Sequence, residues 1–189
     1  MRELDPFVRN GEHLRTGRPF KRMGLRSREI LANWLLCVVV NAMTEPDRFW
    51  LSSDPLGGDG IIHDKETGET WATEHVFVPE PRTGGSDRVE PLILHAIGKK
   101  HRKGGAAYAS GKTLVVFLDA VGRWLPDLVA QQLPEPLHFE AVWVVSLHGV
   151  KADEYVYDVA RLDVGRRNAP AWCVCIGAGF DSWVVSPVQ

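Results

Sequence analysis

Cysteine is scarce in this chain: only Cys37, Cys173 and Cys175 occur. Three are too few for a disulfide framework, and an odd number fits a reducing compartment. Cys173 and Cys175 stand one residue apart, so on a strand both would point the same way. No second Cys/His pair with zinc-finger spacing accompanies them, and they read as buried apolar side chains. Long apolar runs are lacking too. The longest, residues 30–40, is interrupted by Asn33 and is too short to span a bilayer. The N-terminal stretch carries Arg2, Arg9, Arg15, Arg18, Lys21 and Arg22 but no apolar segment of a secretory signal. A soluble, cytoplasmic protein is the expectation. An excess of basic charge is also missing, with 22 Lys and Arg against 24 Asp and Glu. A dedicated nucleic-acid binder is usually basic overall, so any such contact has to come from a local patch.

What is present suits one globular unit. The 189 residues, 44% hydrophobic and 24% charged, can bury one sizeable core. Residues 1–25 form a polar, Arg-rich arm broken by Gly11, Gly17, Pro19 and Gly24, either poorly ordered or touching an anionic partner. Residues 26–189 read as a single α/β domain, a mixed sheet flanked by helices. Ser27 stands at an N-cap position with Glu29 in the first turn, and Ile30, Leu31, Trp34, Leu35, Val38 and Val39 recur at helical spacing as far as Met43. Strands follow over 48–52, 59–63 and 70–78, the last two joined by a polar turn at 64–69 and expected to pair as an antiparallel hairpin. Pro79 and Pro81 close this segment, and a Gly84-Gly85 loop leads to Ser86-Asp87. Val89, Leu92, Ile93, Ala96, Ile97 and Lys100 lie on one face of a second helix that ends by Gly104-Gly105. A strand over 113–120, a helix over 124–133 and a strand over 139–147 make a β-α-β unit with parallel strands. Strands over 155–162 and 171–185 complete the chain. There is no internal repeat.

Asp59 and Glu74 are the informative pair. They fall on the two strands of the expected hairpin, and two converging carboxylates make a hard oxygen site for Mg²⁺ or Mn²⁺. Glu74 shares its strand face with Ala72, Val76 and Val78, where a lone carboxylate is costly to bury unless paired or metal-bound. The alternative is that Asp59 starts a turn and Glu74 is solvated at a sheet edge. The run Lys99, Lys100, His101, Arg102 and Lys103, joined by Lys112, could contact the phosphate backbone of DNA or RNA, or be a solvated helix end.

The order helix, three-stranded meander, helix, buried strand, with Asp59 on the second strand and Glu74 on the third, resembles the core of the PD-(D/E)XK nuclease superfamily. The resemblance covers roughly residues 27–147 and implies a restriction-endonuclease-like fold with additional C-terminal strands. It also implies metal-dependent hydrolysis of nucleic-acid phosphodiesters. Asp59-Gly60-Ile61-Ile62 matches the first part of the motif, Glu74-His75-Val76 the second, and Glu29 the helix position that often joins the site. Asp59 and Glu74 would then hold the metal. The motif's lysine is replaced by Val76, but some members carry it on the following helix. Lys100 lies seven positions after Ile93 on the apolar face, whereas Lys99 turns away, so Lys100 is the candidate for the displaced lysine. It could equally extend its stem from the helix end and support the C-terminal dipole.

Several other motifs fail. Ser110-Gly111-Lys112-Thr113 looks like the end of a phosphate-binding loop, but Ala106 stands at the first glycine position and a strand follows. No GxSxG elbow and no HExxH pattern occurs. His75 would face away from Glu74, His63 could reach the site if the strand twists, and His95 and His101 belong to the second helix. The second functional expectation is a nuclease-like fold without its lysine, serving as a binding or assembly module. Seven tryptophans, several on strands, would suit an interface such as a homodimer.

Overall fold

A computed structural model describes residues 1–20, 23–80, 88–120, 124–163 and 165–188. Lys21 and Arg22 of the expected arm, and Pro81, Gly84-Gly85 and Ser86-Asp87 of the expected loop, lie outside these residues.

The N-terminal segment is folded, which corrects the expectation of a polar arm. A 3₁₀ turn, Arg2–Leu4, leads into α1 (Asp5–Arg9) and α2 (Gly11–Thr16). Leu4 and Val8 share one side at i, i+4 spacing, and both are buried with Leu14 in the main core. The arginines point outward from this apolar stripe. Arg2 pairs with Asp181 at 2.9 Å, and Arg9 donates to the carbonyl of Ala178 at 2.7 Å.

The first long helix, α3 (Ser27–Met43), matches the expected span. Its N-cap is Arg26 rather than Ser27. The Arg26 N–H donates to the Glu29 carboxylate at 2.8 Å, while the Ser27 hydroxyl donates to the His13 carbonyl at 3.1 Å. The helix is buried on nearly all sides because the sheet covers one face and α2 and the chain's last strand cover others.

The strands β1 (Phe49–Ser52), β2 (Ile61–Asp64), β3 (Thr70–Val78), β4 (Lys112–Leu118), β5 (Ala141–Lys151), β6 (Glu154–Leu162), β7 (Ala171–Ile176) and β8 (Trp183–Val188) form one mixed sheet in sequence order. β3, β4 and β5 run parallel, and all other neighbours are antiparallel. The expected 171–185 strand is therefore two, β7 and β8. The helices α4 (Val89–Arg102), α5 (Gly105–Ala109) and α6 (Pro126–Gln131) cover the face opposite α3. Alternation along β4 serves both layers: Val115 and Phe117 face α3, while Leu114, Val116 and Leu118 face α4. That double cover explains the near-continuous apolar run. Among the described residues no helix is long and apolar enough to cross a membrane.

Candidate functional site

Glu74 sits on β3, on the face covered by α4. The last turn of α4 delivers Lys100, whose Nζ lies 3.0 Å from Glu74 Oε2. The short α5 delivers Tyr108, whose hydroxyl donates to the same oxygen. Lys112, at the start of β4, reaches Glu74 Oε1 at 3.4 Å. The seven-residue spacing from Ile93 thus turns Lys100 toward the sheet, and Lys99 stays exposed. Burial pushes the Glu74 carboxyl up, but the Tyr108 hydroxyl, Lys100 and Lys112 outweigh it and the net direction is down. Burial and the neighbouring Glu74 push the Tyr108 hydroxyl up, so it remains a donor.

Asp59 lies just outside β2, which begins at Ile61 rather than at residue 59 as expected. The reason is how Gly60 packs against α3. Gly60 adopts φ +134°, and a Cβ there would meet Asn33 Nδ2 at 2.3 Å, so the chain turns out of the ladder at a position reserved for glycine. The hairpin register still reaches this point. Ile61 pairs with Ala72, and Thr73 N donates to the Gly60 carbonyl at 2.8 Å, so the next step sets Asp59 opposite Glu74. With β2 gone, the Asp59 carboxylate replaces the missing strand partner and accepts the His75 N–H at 2.7 Å.

Below this turn, on the α3 side, Asn33 joins the elements. The Asp59 carbonyl can only accept, so the Asn33 amide nitrogen faces it at 3.1 Å. Asn33 Oδ1 then takes the remaining donor, His75 Nε2–H, at 3.0 Å, which leaves His75 Nδ1 bare and the ring neutral. Burial, with Lys100 and Arg28 adding positive charge, lowers the His75 pKa to about 3.

This shift has a measurable consequence. The unfolded chain takes its proton near the ordinary histidine value, well before the folded one. In metal-free protein the stability contribution is therefore whole above pH 6.5 and is lost as the pH falls toward 3, by on the order of 4 kcal/mol. Glu29 and Asp119, whose carboxyls burial pushes up, work in the opposite sense over the carboxylate range. Urea midpoints across this window should slope less steeply in His75→Gln than in the native chain; parallel slopes would remove His75 as the source.

Glu29 caps its own helix and lies near enough to Asp59 to feel its charge. Burial pushes its carboxyl up, the Arg26 N–H pulls it down, and the charge of Asp59 pushes it up again. His63 is not part of the cluster, because it stacks on Trp50 at 4.1 Å and its Nε2 meets the Ser52 hydroxyl at 2.7 Å. His75 faces α3, as its strand position implied. His95 is exposed, and His101 stacks on His138 at 5.0 Å. Of the basic run, Lys99, Arg102 and Lys103 are exposed and Lys100 and Lys112 are half-buried. Lys103 and Lys112 lie 4.8 and 4.6 Å from the Tyr108 ring centre.

Sequence reasoning missed Tyr108 and the role of Asn33. Nothing in the glycine-bounded segment 104–111 marks Tyr108, but a lone amide inside the apolar run 30–40 did signal Asn33: a buried polar group needs a partner. Among the described residues no group of three or more His, Cys, Asp or Glu side chains is arranged to hold a metal. A cleft of about 870 Å³ lies at the carboxyl ends of β4 and β5, with Asp119, Trp124, Ser146 and His148 in its lining, and contains none of the site residues. No family model, curated protein or solved structure matches the chain.

Proposed function

We propose that this chain is a nuclease-like hydrolase that cleaves phosphodiester bonds of DNA or RNA, with Asp59 and Glu74 as ligands of Mg²⁺ or Mn²⁺. The observation that carries the reading is the 3.0 Å approach of Lys100 Nζ to Glu74 Oε2. A lysine absent from position 76 has its counterpart on the following helix, beside the motif carboxylate. The order α3, β1-β2-β3 meander, α4, then β4 parallel to β3 supports a restriction-endonuclease-like core. β5 to β8 would extend it.

The donor set suits Mg²⁺ in one particular mode. This ion is commonly held by one or two carboxylates plus substrate oxygens and water, not by an all-protein cage. Opposed positions in the hairpin register supply two such carboxylates. When bound, the ion would polarise a phosphoryl oxygen and acidify a water. The chain's own residues do the rest. Lys100 holds charge on the scissile phosphate, Glu29 assists from the end of α3, and Lys99, Arg102, Lys103 and Lys112 contact the flanking backbone. A cytoplasmic location goes with this reading, since all three cysteines are free.

Calorimetry with Mn²⁺ or Mg²⁺ tests it. Both Asp59→Ala and Glu74→Ala should abolish the binding seen with the native chain. Binding that survives either change, in folded protein, would remove the hairpin as the metal site.

One observation favours a second reading. Glu74 is already neutralised from within, as expected of an inactive module that binds or assembles. The sheet edges then supply the interface: Trp50 of β1 and Trp183 of β8 are 44% and 42% exposed, which suits a homodimer. On this reading Glu74→Ala leaves function intact.

A further inference from the structure

One carboxylate in the site is held by two lysines at once. The Glu74 side chain is only 13% exposed, and Lys100 and Lys112 approach its two oxygens at 3.0 and 3.4 Å. Lys103 is held nearby over the Tyr108 ring, which also carries Lys112. Two ammonium groups thus share the Glu74 carboxylate with a third close by, a cluster that suits an anion. The same ammonium groups also stand where a cation bound to Glu74 would have to be.

Resting on the metal-site reading above, we infer that phosphodiester backbone and metal bind in a coupled order: Lys100 and Lys112 occupy Glu74 in the free protein, and an incoming phosphate draws them away and frees the carboxylate for the ion. The chemistry is an exchange of partners. Each ammonium trades a carboxylate for a phosphate oxygen, and the carboxylate trades ammonium for the divalent cation. No charge is left buried without a counterion at either stage. Tyr108 is a positioning residue here, because its hydroxyl donates to Glu74 Oε2 while its ring holds Lys112 beside Oε1. Coupling of this kind is reciprocal, so the metal strengthens backbone binding by the same factor as the backbone strengthens metal binding.

The sign of one substitution sets this apart from a structural role. Removing the Lys112 charge takes away a competitor, so Lys112→Met should bind Mn²⁺ roughly three- to tenfold more tightly than the native chain when no nucleic acid is present. Tyr108→Phe should move in the same direction, and Lys112→Arg should restore the native value. Adding a cleavage-resistant phosphorothioate DNA oligonucleotide, with the oligonucleotide alone as blank, should tighten Mn²⁺ binding about tenfold in the native chain and less in Lys112→Met. An RNA counterpart run in parallel shows which backbone couples more strongly. Unchanged or weaker Mn²⁺ affinity in folded Lys112→Met and Tyr108→Phe would overturn the coupling, while Glu74→Gln still abolishes binding. If Glu74→Gln binds Mn²⁺ as the native chain does, the metal-site reading itself has failed.

Discussion

Lys100→Ala is expected to slow metal-dependent phosphodiester cleavage by about two to three orders of magnitude, the scale seen when one preorganised charge-stabilising group is removed. The argument is geometric. Lys100 runs from the apolar face of α4 to an ammonium beside Glu74, and its side chain is only 18% exposed, so packing holds the stem and leaves the ammonium within reach of a phosphate at that carboxylate. A charge delivered there acts on the transition state, and its loss should lower kcat. Lys99, one residue along and exposed, has only the backbone to contact. Lys99→Ala should therefore change kcat by less than about threefold while reducing the salt dependence of binding by about one unit of slope. Steady-state kinetics on both variants with one oligonucleotide substrate decides the matter. Equal losses in the two would mean that the cluster is an undifferentiated basic patch, and full activity in Lys100→Ala would remove the displaced-lysine reading.

The largest loss of stability is expected from Asn33→Leu. Leucine fills a similar volume, but the fully buried Asn33 serves two partners at once, the Asp59 carbonyl and His75 Nε2–H. Each buried polar group left unpaired costs about 1–3 kcal/mol, so the loss should be about 3–5 kcal/mol by urea denaturation. Adding His75→Leu should recover part of it, because the bare imidazole donor disappears and two apolar side chains can meet. Strict additivity of the two losses would mean that the 3.0 Å contact carries little energy. The same network positions the site: it ties α3 to the turn that carries Asp59 and to the strand that carries Glu74. A weakened Asn33 variant should therefore lose metal binding before it unfolds.

How much of this was legible depended on whether the cause was local. The spans of α3 and β3 follow from periodicity, and so does the inward turn of Lys100, since Ile93, Ile97 and Lys100 obey one helical repeat. The N-terminal helices were hidden because six basic residues drew attention from the Leu4, Val8 and Leu14 stripe. The early start assigned to β2 had a different cause. Nothing in Asp59-Gly60-Ile61 reveals that Asn33, on a helix many residues earlier, occupies the space beside Gly60. Tyr108 was illegible for the same reason, because its partner Glu74 lies 34 residues away. Ser27 looked like the helix cap by residue type, yet the Glu29 carboxylate gave that place to the Arg26 N–H.

The seat of the first helices has a bearing on how the chain is made. Arg2 and Arg9 reach Asp181 and the Ala178 carbonyl, and the Arg9 guanidinium lies 5.2 Å from the Phe180 ring centre. Residues of the N-terminal helices thus close on the turn between β7 and β8, which is made long after them. While β1 to β7 are being synthesised, Leu4, Val8 and Leu14 lack this part of their seat. Completion of the β7–β8 hairpin is then the step that seats these helices, and it has to wait until β8 has been made.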